Sequence, residues 1–218
     1  VKERIVETNE GIQGELDAAM FDVFARDMRD RGLTEEKRII KEGITCGHAL
    51  EIGPGPGYLG LEWLKRVKDG RLTGIEISGN MIRLAEKNAR EYGLEGRCAY
   101  VQGNAVKLPF EDGGFDAVFS NGSLHEWEDP AGIIGEAYRV LKTGGRLFVS
   151  DLKRDIAVPL RLLMSMPAKP RQMRKGLKSS IEAAYTAEEI TRIVAKTPFR
   201  NTRVEVNPFG LRVICVKG

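Results

Sequence analysis

The stretch Ala49-Leu50-Glu51-Ile52-Gly53-Pro54-Gly55-Pro56-Gly57-Tyr58-Leu59-Gly60-Leu61 decides how the rest of the chain is read. Ala49, Leu50 and Ile52 form a short apolar run suited to a buried strand. The run from Gly53 to Gly57, glycine alternating with proline, can extend neither a strand nor a helix. Beyond Tyr58, Leu61, Leu64 and Val67 return at helical spacing. A strand, a glycine turn and a helix N-terminus in succession bring backbone amides close to a ligand, and the absent side chains leave it room. A dinucleotide loop of the form G-x-G-x-x-G would need its third glycine where Tyr58 stands. The pattern here is acid-x-G-x-G-x-G, with Glu51 on the strand just before the turn. A carboxylate in that place opposes a pyrophosphate and suits a ligand with an ammonium or sulfonium group.

Downstream, Asp69-Gly70 turns the chain into a second strand, 71–77, carrying Glu76. An acid at the end of a second parallel strand is placed to accept hydrogen bonds from both hydroxyls of a ribose. Ser78 or Asn80 caps the following helix, whose apolar face holds Met81 or Ile82, Ala85, Ala89 and Tyr92. A third strand, 97–101, leads to Gly103-Asn104-Ala105. A fourth, 115–120, is buried and ends in a polar loop from Asn121 to Asp129. Pro130 opens a helix, Lys142-Thr143-Gly144-Gly145 closes it, and 146–150 is a fifth strand. Thr186 caps a helix over 187–195, and two last strands, 203–206 and 211–217, form a hairpin across Asn207-Pro208-Phe209-Gly210. This alternation predicts an α/β fold: a doubly wound, mostly parallel seven-stranded sheet ending in an antiparallel hairpin.

Upstream, residues 1–13 are polar and read as irregular, and a helix over 14–31 has Leu16, Ala19, Met20, Val23, Phe24 and Met28 at helical spacing. Thr34 reads as the N-cap of a short helix ending near Gly43. Residues 156–184 interrupt the rhythm with Arg161, Lys169, Arg171, Arg174, Lys175 and Lys178 against one acid, Glu182. Leu160, Leu162, Leu163, Met164 and Met166 stand among them, broken by Pro159, Pro167 and Pro170. This segment reads as a helical lid. One domain over 1–218 is expected, with an N-terminal helical cap (1–45), a ligand-binding core (46–151), the lid insertion (152–185) and a final helix and hairpin (186–218).

A chain 42% hydrophobic and 30% charged can build a soluble core, and a net charge of +3 is too small to argue for nucleic acid. No apolar run has the length of a membrane span and VKERIVETNE has no signal-peptide apolar core, so a cytoplasmic location is expected. Cys46, Cys98 and Cys215 are scattered, so neither a disulfide framework nor a metal site is expected.

With the acidic glycine loop, the acid ending strand two, the LPF segment at 108–110, the S-x-x-x-L-H pattern after strand four, LKTGGRL before strand five and the terminal hairpin, the chain resembles the class I S-adenosylmethionine-dependent methyltransferases. No N-P-P-Y or D-P-P-Y follows strand four, and the resemblance is to the small-molecule, type 11-like branch. It implies a Rossmann-like fold, S-adenosyl-L-methionine as cofactor with S-adenosylhomocysteine as product, and a small-molecule acceptor with an O, N, S or C nucleophile. It implies that Glu51 and the backbone of Gly53, Gly55 and Gly57 hold the methionine end. Glu76 takes the ribose hydroxyls, with Ile77 and Met81 against the adenine. Asn104, where the family commonly has an aspartate, faces the adenine amino group, and Ala105 offers its amide to the ring. Asn121 and Leu124 lie beside the sulfonium.

His125 is the candidate proton acceptor, the alternative being a histidine held by backbone carbonyls; Glu126 and Trp127 are candidates to shape an acceptor pocket. His48 reads as structural. The lid favours a partly apolar, anionic acceptor, provided that Arg161, Arg171 or Arg174 reaches the space above Asn121 and His125. The rival readings are a nucleotide-linked oxidoreductase, an RNA methyltransferase using the basic lid, and a non-catalytic S-adenosylmethionine-binding protein.

Overall fold

The computed structural model describes residues 3–6, 12, 14–165 and 171–218, with the backbone alone at 163, 165 and 171–173. Most of the 1–13 segment, Met166, Pro167, Lys169, Pro170 and the side chains of Leu163 and Arg171 therefore lie outside the described residues.

Seven strands form one sheet: β1 (His48–Ile52), β2 (Arg71–Glu76), β3 (Cys98–Gln102), β4 (Phe115–Asn121), β5 (Leu141–Leu152), β6 (Asn201–Val206) and β7 (Gly210–Val216). Their order is β3-β2-β1-β4-β5-β7-β6. β1 to β5 pair in parallel, β7 runs antiparallel to β5, and β6 antiparallel to β7. The chain winds outward from β1 in both directions, so a crevice opens between the carboxyl ends of β1 and β4, where such sheets take their ligands.

Strand periodicity sorts the core. Leu50, Ile52, Val118, Leu147 and Val149 face α5 (Pro130–Val140) and α8 (Ala187–Val194). Ala49, Ala117, Phe119 and Phe148 face α2 (Glu36–Lys41) and α3 (Tyr58–Arg66), where Trp63 is fully buried. α4 (Gly79–Glu91) lies against β2, β3 and α3. Ser78 caps it, its hydroxyl accepting from the Met81 amide at 3.3 Å. Thr186 caps α8 in a reciprocal capping box with Glu189. His48 is held by Thr73 at 2.8 Å and packs on Phe115, a structural role. Lys142–Gly145 bulge out of β5, since Leu141 pairs with Phe115 but Arg146 with Ala117.

The structure corrects the N-terminal reading twice. In α1 (Glu15–Asp30) Leu16 is 82% and Val23 68% exposed, while Ala18 and Asp22 are buried. A polar network overrides the apolar stripe: the Tyr58 hydroxyl donates to Asp22 (2.9 Å), and Asn88 reaches Asp22 (3.1 Å) and the Pro56 carbonyl (2.9 Å). Such bonds satisfy a carboxylate that would be costly to bury alone. Thr34 does not cap α2; its hydroxyl donates to the Glu36 carboxylate at 2.6 Å, and Glu35 occupies the cap position. The insertion comprises α6 (Val158–Ser165) and α7 (Arg171–Ala183).

Gly60 in α3 carries a testable consequence. A Cβ there would lie 2.3 Å from both Glu51 Oε2 and Leu72 Cδ2. Gly60→Ala is expected to destabilise the fold by about 2 kcal/mol or more, in spite of alanine's helix propensity. The urea unfolding midpoint measures it, and an unchanged or raised midpoint contradicts the packing described.

Candidate functional site

The glycine turn fits its glycines for identifiable reasons. Gly53, Gly55 and Gly57 have φ of 65°, 54° and 85°, the left-handed region open to glycine. A side chain on Gly53 would also strike Ser123, and one on Gly57 would strike the Tyr100 hydroxyl. Above Gly55 the nearest atom to an added Cβ is on Phe21 of α1, at 3.5 Å, so α1 roofs the turn.

Two carboxyl groups flank it. Glu76, at the end of β2, accepts from the Gly55 amide and from the Ser78 amide, both at 3.0 Å. Burial raises its pKa, and the amides of Ser78, Gly55 and Ile77 oppose that rise. An ionised carboxylate has about four lone-pair sites, so the two short bonds leave capacity for further donors. Glu51 points from β1 beneath the first turn of α3, 2% exposed, with the Gly60 amide as hydrogen-bond donor and Oε2 without a protein partner. Burial first, and the charge of Glu76 second, push its pKa up to about 8. Burial thus favours the protonated form of Glu51 in the free protein, and it sits under the turn and not on its open side.

The other expected ligand residues divide. Ile77 is half-buried next to Glu76, and Met81 is buried in the first turn of α4. Asn104 is exposed, and its side-chain oxygen already accepts from the Val106 amide at 3.0 Å. Ala105 packs on the edge of the core. Asn121 and Gly122 are exposed at the end of β4, with open space where a Gly122 side chain would be. Leu124 and Trp127 lie in the core cluster, so packing accounts for their side chains.

His125 is held by a carboxylate and not by carbonyls. Asp151, at the end of β5, lies 2.9 and 3.0 Å from His125 Nδ1 and also accepts the His125 backbone N–H at 2.7 Å. With a proton on Nδ1 facing Asp151, the neutral ring carries its lone pair on Nε2, which is 3.9 Å from Glu126. Arg4 and α7 cover the dyad: Arg4 donates to the carbonyls of His125 (2.8 Å) and Ala183 (2.5 Å), and α7 packs on the 124–126 turn. The one sequence signal for Asp151 is a carboxylate at the carboxyl end of a parallel strand. Ser120 and Ser123 carry no comparable signal. The Ser120 hydroxyl donates to the Ile52 carbonyl (2.7 Å) and meets Ser123 at 2.6 Å, tying the β4 loop to the glycine turn.

Arg161 does not reach this space. Its guanidinium donates to the carbonyls of Ile156 and Arg154 in its own segment. Arg174 is exposed on α7. Among the described residues, no group of three or more His, Cys, Asp or Glu side chains is placed to hold a metal ion.

A glycine turn after β1, an acid ending β2 and a polar loop after β4, on a sheet with a terminal antiparallel hairpin, make up the Rossmann-like methyltransferase fold. Comparison with known proteins agrees with this fold: residues 50–149 match the family model of the methyltransferase domain. The ubiquinone/menaquinone biosynthesis C-methyltransferase of Enterobacter sp. (strain 638) is 35% identical over 120 residues, 54% of this chain and 48% of the relative. The chain thus matches about half the length of that relative. A SAM-dependent methyltransferase from Aquifex aeolicus shares the fold with a TM-score of 0.68 at 22% identity, over 85% of this chain and 91% of the other. The geranyl diphosphate C-methyltransferase of Streptomyces coelicolor A3(2) does so with a TM-score of 0.65 at 15% identity, over 84% and 75%.

Proposed function

We propose that this chain transfers the methyl group of S-adenosylmethionine to a small-molecule acceptor. The observation that carries the proposal is the Glu76 carboxylate clasping the glycine turn through Gly55, with further lone-pair capacity and Ile77 beside it. Two ribose hydroxyls are the donors that fit it. The positive-φ backbone at Gly53, Gly55 and Gly57 leaves room for the methionine end, and Ile77 with Met81, Asn104 and Ala105 borders the adenine side. Asn121 and the backbone at Leu124 stand toward the sulfonium. Glu51 acts from beneath the turn, and a cation above it favours its ionised form.

Bound there, S-adenosylmethionine supplies an electrophilic methyl group and a neutral thioether leaving group, S-adenosylhomocysteine. The chain's residues align the acceptor and exclude water. An electron pair of the acceptor, a lone pair or the π pair of a carbon nucleophile, would form the new bond to the methyl carbon as the C–S bond breaks with its pair on sulfur, and the proton the acceptor sheds would pass to His125 Nε2. Asp151 is a positioning residue, fixing the ring and stabilising the imidazolium. The residues 152–185 serve as a lid, and the acceptor enters as the cover formed by Arg4 and α7 opens.

The relatives named for C-methylation in ubiquinone/menaquinone biosynthesis and for C-methylation of geranyl diphosphate, an apolar chain on an anionic head, support a carbon nucleophile on a partly apolar acceptor. Two of the Arg161 donors are held by the carbonyls of Ile156 and Arg154 within its own segment. Glu76→Ala tests the proposal: S-adenosylmethionine affinity in calorimetry falls on the order of 30- to 150-fold, about 2–3 kcal/mol. Unchanged affinity in a folded variant refutes the assignment.

A further inference from the structure

We propose that the α6–α7 insertion is a docking surface for an anionic phospholipid bilayer. On α6, Val158 and Leu162 stand one turn apart, 67% and 63% exposed, with Pro159 exposed between them. On α7, Arg174, Lys175 and Lys178 face solvent, while Ile181 turns into the protein. Ile5 and Val6 add exposed aliphatic surface at the end of α7, where the Ile5 amide donates to the Glu182 carbonyl at 3.1 Å. The segment 156–184 has six basic residues against one acid, Glu182, which lies 3.9 Å from Lys178.

Exposed aliphatic side chains on α6 and at the Ile5–Val6 segment by the end of α7, together with the cations of α7, match the interfacial zone of a membrane. The aliphatics enter the boundary between headgroups and acyl chains, and the cations meet anionic headgroups. Two other partners fit less well. Residues 156–184 contain no aromatic side chain on which nucleic-acid bases could stack. A second copy placed face to face would set like charges against one another. The contact is peripheral, since among the described residues no helix is long and apolar enough to cross a membrane. The insertion leaves the sheet at the carboxyl end of β5, directly after Asp151, so a docked bilayer would adjoin the His125 dyad. That the bilayer also delivers the acceptor rests on the function proposed above; the binding does not.

The test is flotation of the full chain with vesicles of phosphatidylcholine alone or mixed with phosphatidylglycerol. The protein is expected to float with the mixed vesicles only, and to be released by added salt. Replacing Arg174, Lys175 and Lys178 together by Ala lowers the partition coefficient on the order of 100-fold, and Leu162→Glu lowers it about 10-fold. Thermal unfolding and S-adenosylmethionine calorimetry of these variants stay as in the parent chain. No flotation, equal flotation with phosphatidylcholine alone, indifference to both variants, or displacement from vesicles by single-stranded RNA overturns the proposal. A chain that floats as described but binds no S-adenosylmethionine leaves this inference standing and removes the proposed function.

Discussion

Replacing His125 by Ala lowers kcat by about two to four orders of magnitude, the range that a positioned proton acceptor contributes. Cofactor affinity should hardly change, because the ring lies beside Asp151 at the β5 end and not at the glycine turn. Asp151→Asn separates positioning from general structural support. The amide keeps the shape of the side chain but removes the charge facing Nδ1, so the imidazolium loses its stabilising partner and kcat falls with cofactor affinity unchanged. A merely structural Asp151 would lower thermal stability and leave kcat of the folded protein at the parent value. If His125→Ala folds, binds S-adenosylmethionine and turns over at the parent rate, the proton-acceptor role is lost, and methyl transfer would proceed by alignment alone.

Replacing Glu51 by Gln makes the protein more stable at alkaline pH than the parent, by an amount on the order of 4 kcal/mol relative to the difference at pH 4. The sign follows from the proton count. Burial raises the folded pKa from 4.5 to about 8. Between those values the unfolded chain has released a proton that the folded chain retains, so parent stability is fully present below about pH 4.5 and falls until about pH 8. The glutamine of the variant has no proton to lose, and groups titrating in both proteins cancel in the difference. Chemical denaturation of both proteins from pH 4 to 9 measures the effect. A stability difference independent of pH would mean that water or movement of α3 relieves the buried carboxyl. Saturating S-adenosylmethionine should flatten the parent's slope, because a cation above the turn favours the ionised form.

Local chemistry made much of this protein legible in its sequence. The glycine turn was readable because a left-handed backbone at three alternate positions demands glycine, and Gly53, Gly55 and Gly57 all adopt it. The strand-helix rhythm, the Ser78 and Thr186 caps and the final hairpin were readable because each depends on residues a few places apart. Glu76 could be placed at the end of β2 because a parallel strand ends where its ligand crevice begins. Contacts between distant positions could not be read in that way. Leu16, Ala19, Met20 and Val23 spell an apolar stripe, yet α1 buries Asp22, because Tyr58 and Asn88, 36 and 66 residues away, offer the hydrogen bonds that offset its desolvation. The Asp151 partner of His125 is 26 residues off, on the neighbouring strand, and only the β4–β5 register joins them. Glu51 was recognisable as an acid beside a ligand loop, but its charge state depends on Gly60, Leu72 and Glu76 closing over it. Backbone conformation is a property of neighbouring residues and can be read from their order, whereas burial and charge are properties of whatever the fold brings alongside, and those the tertiary structure alone decided.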